Sequence, residues 1–353
     1  MENNNSDLIG IKKIAKLANV SIGTVDRVIH NRKGVSKATK EKINSIIKEL
    51  NFTPNKMASL LAKRNQMNIG VIIPKSSTET NYWSYPLAGI KKAVSELNQF
   101  GVNITQFFYD LDSKSSFNEA GELALNTDLQ GVLLAPSFIE ESLALTKKLV
   151  TAGIPFVFIN SDLPKQESLS YIGPDLYQSG RLAAQMLSLM IRQADDIFIV
   201  NISTDLELDH HLRRKEQGFR VYFEENNIPN TILTLNINHT NFSSIEKQVN
   251  NALQSAPNAK AIFVTNSRVN VLAQILVNNP QKPILAGYDF IEENVRRLED
   301  GSISFLISQR PMEQGYLGIM ALYKHFFGVE DIEQTTYMPI DIITRENFLY
   351  YKN

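Results

Sequence analysis

The sequence has no cysteine. Disulfides and thiolate metal sites are therefore excluded, which fits a reducing compartment. No apolar run approaches the roughly 20 residues that a membrane span needs. The opening stretch, MENNNSDLIGIKKIAKLANV, has no apolar core behind a basic lead, so no secretory signal is expected and a cytoplasmic location is. Glycine-rich phosphate loops of the GxxxxGK[ST] or GxGxxG type are missing, as is HExxH, so the usual signs of a nucleotide- or zinc-dependent enzyme are absent. His210 and His211 are the one adjacent histidine pair. Neighbouring side chains point to different faces of a helix or strand, so the pair makes no joint metal site and reads better as a loop pair near a ligand cleft, open to ligand contact. No catalytic residue, metal or cofactor is expected, and the chain is not read as an enzyme.

What is present is unevenly distributed. The net charge of −1 over 353 residues conceals a split. Residues 1–68 carry 13 Lys and Arg against 5 Asp and Glu, a net of +8, while the remainder carries 23 against 32, a net of −9. Such asymmetry suggests a polyanion-binding head on an ordinary globular body, and the 43% apolar content supplies cores for two or three domains.

The head reads as three short helices. Ile11, Ile14, Ala15 and Ala18 recur at helical spacing, and Asn19-Val20 makes a turn. Ser21 stands where an N-cap belongs. Winding Ser21 to His30 places Val25, Val28 and Ile29 on one face and Ile22, Gly23, Asp26, Arg27 and His30 on the other. The second face carries a guanidinium, a branched apolar residue and a glycine near a helix start, which suits a DNA major groove: arginine grips a guanine edge, a methyl meets thymine, and glycine permits close approach. Taken alone, the same pattern fits an amphipathic helix in an unrelated bundle. Ser36 then caps a third helix through Leu50, with Ile43, Ile46, Ile47 and Leu50 inward. Lys37, Lys40 and Lys42 near its start oppose the helix dipole and are better placed to meet phosphates.

The stretch IKKIAKLANVSIGTVDRVIHNRKGVSKATKEKINSIIKELNFTPNKMASLLA resembles the DNA-binding head of the LacI (lactose-repressor) family. It contains the VS..TV.RV core, the VS..T...I...I..L.F.PN third helix and a PN..A..LA hinge. The resemblance implies an all-α helix-turn-helix domain over residues 9–53 and a hinge helix and linker over 54–67. It places Ile22, Gly23 and Arg27 at base-reading positions and Ser21 and Thr24 at phosphates, and our candidate DNA-contacting set adds His30 and Asn55. Leu61 matches a wedge that partly unstacks a central base step in the minor groove. Asp26 departs from the commoner serine, which leaves its role open.

From Asn68 onward strand-like and helix-like runs alternate. The strands include IGVIIP, VNITQFFY, GVLLAP, IPFVFIN, IFIVNIS, AIFVTN and PILAGYD. The helices include Tyr85–Phe100, Ile139–Ala152, Tyr177–Gln193 and Leu212–Glu225. This predicts an α/β body with parallel sheets covered by helices. Ligands gather at the C-terminal ends of such strands, where the sequence puts Asn160, Asn266, Asp289 and, from SFLISQ, Gln309. Three amides and an acid make a polar set that suits sugar hydroxyls, which both donate and accept hydrogen bonds. Tyr82 and Trp83, the latter the sole tryptophan, follow the first strand and offer a face for a sugar or purine.

The body resembles the two-lobed periplasmic sugar-binding fold that the family carries behind its head. The resemblance implies an effector-binding domain over 68–353, with one lobe near 68–174 and 310–340 and the other near 175–309 and 341–353. It supports Asn160, Asn266, Asp289 and Gln309 as effector contacts. The segment RRKEQGF matches one with an arginine three residues before Gly-Phe; here that position is Lys215, with Arg214 as its rival. Asp162 and Asp175 read better as loop or cap residues. The combined expectation is an allosteric, ligand-responsive transcriptional regulator, a repressor by preference. Its partners are double-stranded operator DNA, a small sugar in an interlobe cleft, and a second copy in a homodimer or higher oligomer, with no membrane. The alternatives are the same architecture sensing a purine or a sugar acid, and a solute-binding protein that does not bind DNA.

Overall fold

The computed structural model describes residues 6–29, 34–50, 67–76, 81–163, 165–203, 210–328 and 331–352. The chain divides into two compact units, Met1–Gln66 and Met67–Asn353. His30, Asn55, Leu61 and nearly all of the expected hinge lie outside the described residues.

The first unit holds α1 (Ser6–Ala18), α2 (Ile22–Ile29) and α3 (Lys37–Glu49). Helix α1 ends on Asn19 in the left-handed region (φ 56°). The amides of Asn19 and Val20 donate back to the carbonyls of Lys16 and Ala15, a Schellman closure. The next two helices start alike. The Thr24 amide donates to Ser21 Oγ at 3.1 Å, and the Thr39 amide to Ser36 Oγ at 3.2 Å. Each VSxxT segment also lays its valine, Val20 or Val35, against the core. That core joins Ile14, Ala15, Ala18, Val25, Val28, Ile43 and Ile46. Leu50, expected inside, is 36% exposed, because it is the C-cap of α3 and its backbone closes the helix onto Ile46 and Lys48.

The second unit opens with β1 (Met67–Pro74), α4 (Ser84–Leu97), β2 (Val102–Tyr109), α5 (Lys114–Leu125), β3 (Gly131–Leu134) and α6 (Ile139–Thr151). It continues with β4 (Phe156–Ile159), β5 (Ser170–Gly173), α7 (Leu176–Ser188), β6 (Asp196–Ile202), α8 (His210–Glu225), β7 (Ile232–Ile237) and α9 (Phe242–Ser255). It closes with β8 (Ala259–Val264), α10 (Val269–Leu276), β9 (Ile284–Tyr288), α11 (Glu292–Glu299), β10 (Phe305–Ser308), α12 (Pro311–Phe327), β11 (Thr335–Tyr337) and β12 (Asp341–Ile343). Two six-stranded sheets result, ordered β11-β5-β4-β3-β1-β2 and β12-β10-β9-β8-β6-β7. The described pairings are parallel, as expected of such a body, except for β10 with β12 at one edge. There β12 enters from β11 of the other sheet through residues 338–340 alone, so it runs back along β10 and does not follow it through a crossover helix.

The chain passes from one sheet to the other three times: between β5 and β6, between β10 and β11, and between β11 and β12. The two orders superpose strand for strand, so β4 and β9 occupy equivalent positions. Strands β3 and β4 are apolar throughout and buried, as is β1 apart from the half-buried Asn68, with helices packed around their sheet. In the second sheet Phe219 of α8 stacks on Phe263 of β8 with ring centres 4.9 Å apart, and Phe263 meets Tyr288 of β9 at 5.7 Å. That stack fixes the rotation of α8, and with it the side chains one turn earlier.

Candidate functional site

Helix α2 presents Ser21, Ile22, Gly23 and Arg27 to solvent, with Ile22 50% exposed, while Val25 and Val28 are buried. Thr24 is half-buried and its hydroxyl lies 2.9 Å from Ser21 Oγ. A β-carbon on Gly23 would find only Ser21 Oγ, at 3.8 Å. The glycine therefore answers no packing need within the unit. An exposed branched side chain beside an unneeded glycine and a guanidinium makes a surface shaped for something outside it.

In the second unit a cavity lies between the two sheets at the C-terminal ends of their strands. Tyr82, Trp83, Asn160, Lys215, Asn266, Asp289 and Gln309 all line it. His211 and Arg268 also line it, and neither is marked by a strand exit in the sequence. Arg268 sits two residues beyond Asn266, where the chain turns into α10. Arg214 does not line this cavity. Its guanidinium lies 5.2 Å from the Tyr177 ring, and it lines a separate hollow with Asp162, Asp175 and Tyr337. Successive helical residues diverge by about 100°, and of the two only Lys215 lines the cavity. Asp175 caps α7 by accepting from the Gln178 amide, and Asp162 lies 3.8 Å from His210, as loop and cap residues do.

The floor of the cavity is a chain of buried polar contacts. Asn160 and Asp289, at the equivalent exits of β4 and β9, both adopt left-handed backbone, φ 69° and 75°. Asn and Asp tolerate that region better than other residues with a β-carbon. Each is clasped by a buried amide from a neighbouring helix. Gln314 Oε1 accepts the Asn160 amide at 2.9 Å, and its Nε2 donates to the Gln309 carbonyl at 2.7 Å. Asn294 Nδ2 lies within hydrogen-bond distance of the Tyr288, Asp289 and Ser267 carbonyls. Tyr82 Oη donates to Asn160 Oδ1 at 2.7 Å. Burial, with the Asp289 charge added, pushes the Tyr82 hydroxyl well above its ordinary range and keeps it protonated for that role.

Asp289 is almost fully buried, and Gln309 Nε2 donates to its Oδ1 at 3.0 Å. Burial raises the Asp289 carboxyl above its ordinary value, while Lys215, Gln309 and His211 pull it back down. Lys215 is 3% exposed. Its Nζ lies 3.6 Å from the centre of the Tyr288 ring and donates to the Thr265 carbonyl at 3.1 Å. Among the described residues Gln309 Oε1 is buried without a hydrogen-bond partner, an acceptor that such an interior leaves open only at a cost of about 1–3 kcal/mol. Asn266 is more committed: its Nδ2 donates to the Ile202 carbonyl at 2.7 Å and its Oδ1 accepts the Arg268 amide. Trp83 packs edge-on to Tyr82, ring centres 5.1 Å apart, and both are buried. The aromatic pair is thus a packed wall of the cavity.

Among the described residues no helix is long and apolar enough to cross a membrane, and no group of three or more His, Cys, Asp or Glu could hold a metal ion.

Comparison with known proteins agrees with this division. Residues 10–55 match the profile of bacterial regulatory proteins of the lacI family, and residues 69–329 match a periplasmic binding protein domain. The HTH-type transcriptional regulator IdnR of Escherichia coli is 27% identical over 293 residues, covering 80% of this chain and 82% of that protein. A Bacteroides fragilis chain described as a LacI transcriptional regulator superposes with a TM-score of 0.76 at 29% identity, over 82% of this chain and all of the other. GanP, a glucose-galactose binding protein from Geobacillus stearothermophilus, shares the fold with a TM-score of 0.72 at 20% identity, over 80% of this chain and 99% of that one. The chain belongs to the LacI family of bacterial regulatory proteins, and its body is a periplasmic binding protein domain.

Proposed function

We propose that the chain is a transcriptional repressor that binds a palindromic operator as a homodimer and releases it when a small carbohydrate occupies the cavity between its sheets. The observation that carries this reading is the unpaired Gln309 Oε1 beside Asp289 and Asn160. An acceptor-rich floor of this kind is completed by hydroxyl donors from a polyol ring. The packed Tyr82–Trp83 wall supplies the apolar face that a pyranose requires. Ser21, Ile22, Gly23, Thr24 and Arg27 make the contacts to the operator.

Closure of the two lobes around the ligand shifts one lobe of each subunit against its twin, and that shift carries to the heads. The coupling is reciprocal: a sugar that weakens operator binding is itself held more weakly by the operator complex, by the same factor. A second reading, with a sugar acid as effector, draws on Lys215 and Arg268 both lining the cavity.

A gel shift with DNA upstream of the protein's own operon tests the proposal. D-glucose, D-galactose and D-arabinose, the corresponding aldonic acids, and adenine and guanine are added in turn. Release by a neutral sugar supports the first reading and release by an aldonic acid alone the second. Binding unaffected by every sugar and acid overturns both.

A further inference from the structure

Gln314 is fully buried, belongs to α12, and lies five residues beyond the nearest strand exit. Nothing in the residue pattern marks it as part of a site. Yet its carboxamide spans the two sheets. The Oε1 end holds the backbone of Asn160, at the exit of β4 in the first sheet, and the Nε2 end holds the backbone of Gln309, at the exit of β10 in the second. Left-handed backbone stands at both ends of this clasp, Asn160 at φ 69° and, next to Gln309, Arg310 at φ 50°. Left-handed backbone at a residue with a β-carbon persists only where its surroundings hold it.

Gln314 is held in turn by its helix. Gly315, the next residue, packs so closely on α4 that a β-carbon there would lie 2.1 Å from the Pro86 carbonyl oxygen. The rest of the cavity floor hangs on the same two points. Tyr82 is tied to the Asn160 side chain, and Asp289 to the Gln309 side chain. One amide thus fixes the separation of two half-sites on different sheets.

We propose that Gln314 is a positioning residue: its amide clasps Asn160 to Gln309 across the passage between the sheets, and so sets the geometry of the cavity without touching a ligand. The proposal rests on the cavity being a ligand site, but its test needs no ligand.

The sole tryptophan is the reporter, because Trp83 packs on Tyr82, which is bonded to Asn160. The full chain is compared with Gln314→Met and Gln314→Glu by Trp83 emission and by hydrogen exchange of the Asn160 amide read by NMR. Gln314→Met keeps the length and loses both bonds. The expected result is a red-shifted emission and Asn160 exchange about tenfold faster. Gln314→Glu restores the pair when protonated, since the acid both accepts and donates. When ionised it sets a carboxylate against the Gln309 carbonyl. Its emission should therefore match wild type at low pH and shift as pH rises.

The groups that could add their own titration are Asp289 behind Gln309, Tyr82 behind Asn160, and Glu313 and Arg310 on the same turn as Gln314. A wild-type titration over the same range subtracts them. If Gln314→Met melts earlier while emission and Asn160 exchange stay at wild-type values, Gln314 is only a packing residue and the proposal is overturned. Should Gln314→Met fail to fold, a Gln314→Glu chain whose emission follows wild type at every pH overturns it equally. Failure of every sugar in the gel shift leaves these readings untouched, so the two proposals fail separately.

Discussion

Gly180 of α7 rests directly on the carbonyl oxygen of Lys215 in α8; a β-carbon at Gly180 would lie 1.9 Å from it. The contact is mutual, since a β-carbon on Gly218 would lie 1.9 Å from the Tyr177 carbonyl oxygen. The helix that brings Lys215 to the cavity is therefore seated by two glycines, neither of which touches the cavity. Gly180→Ala must push the helices apart, costing on the order of 1–3 kcal/mol. Thermal unfolding of the body should show that loss, together with weaker effector binding as Lys215 leaves the Tyr288 ring. Unchanged stability would mean that the helices part freely.

Gly23→Ala makes the opposite case. The space beside Gly23 is open, and alanine favours helix over glycine by roughly 1 kcal/mol. The head should melt later and yet bind operator less tightly, because the added methyl meets the groove. A variant that gains both stability and affinity would remove α2 from the interface.

Arg27→Ala should lower discrimination between operator and random DNA by roughly 1–3 kcal/mol. Competition gel shifts separate the two outcomes, since an equal loss on every sequence would make Arg27 a phosphate contact instead.

Asp289 ties stability to pH. Burial raises its folded-state carboxyl above the ordinary value, so the folded chain takes up a proton that the unfolded chain has released. Its contribution is fully present below the ordinary carboxylate range and is lost as pH rises through the raised value. Asp289→Asn should flatten that fall in a series of melting temperatures against pH, while operator binding persists and the response to effector is abolished. A wild-type profile that rises across the same window would show that Lys215 outweighs burial.

The residues that could be read ahead of the structure are those whose place follows from the local chain. Strand exits end apolar runs, so Asn160, Asn266, Asp289 and Gln309 were visible in order. The caps Ser21 and Ser36 each directly follow a partly buried valine, Val20 and Val35. The residues that escaped reading reach the cavity through tertiary approach. Arg268 arrives from a helix start, and Gln314 and Asn294 clasp from behind. Their neighbours in space are far away in sequence: Asn160 lies 154 residues from Gln314. Strand β7 escaped for another reason. It is an edge strand with mostly half-exposed positions, so it lacks the continuous apolar run of the central strands. Only the angular step along α8 separates Lys215 from Arg214, and no short motif records which way a helix is turned.

The threefold passage between sheets also governs how the gene can be cut. Strand β11 completes the first sheet from beyond residue 334, and β12 completes the second a few residues later. A stop codon introduced after residue 310 would strip an edge from both sheets at once and remove α12 with its clasp. No contiguous fragment encodes either lobe alone, so exchange of sensing domains between such regulators must transfer the whole of 67–353 as one cassette.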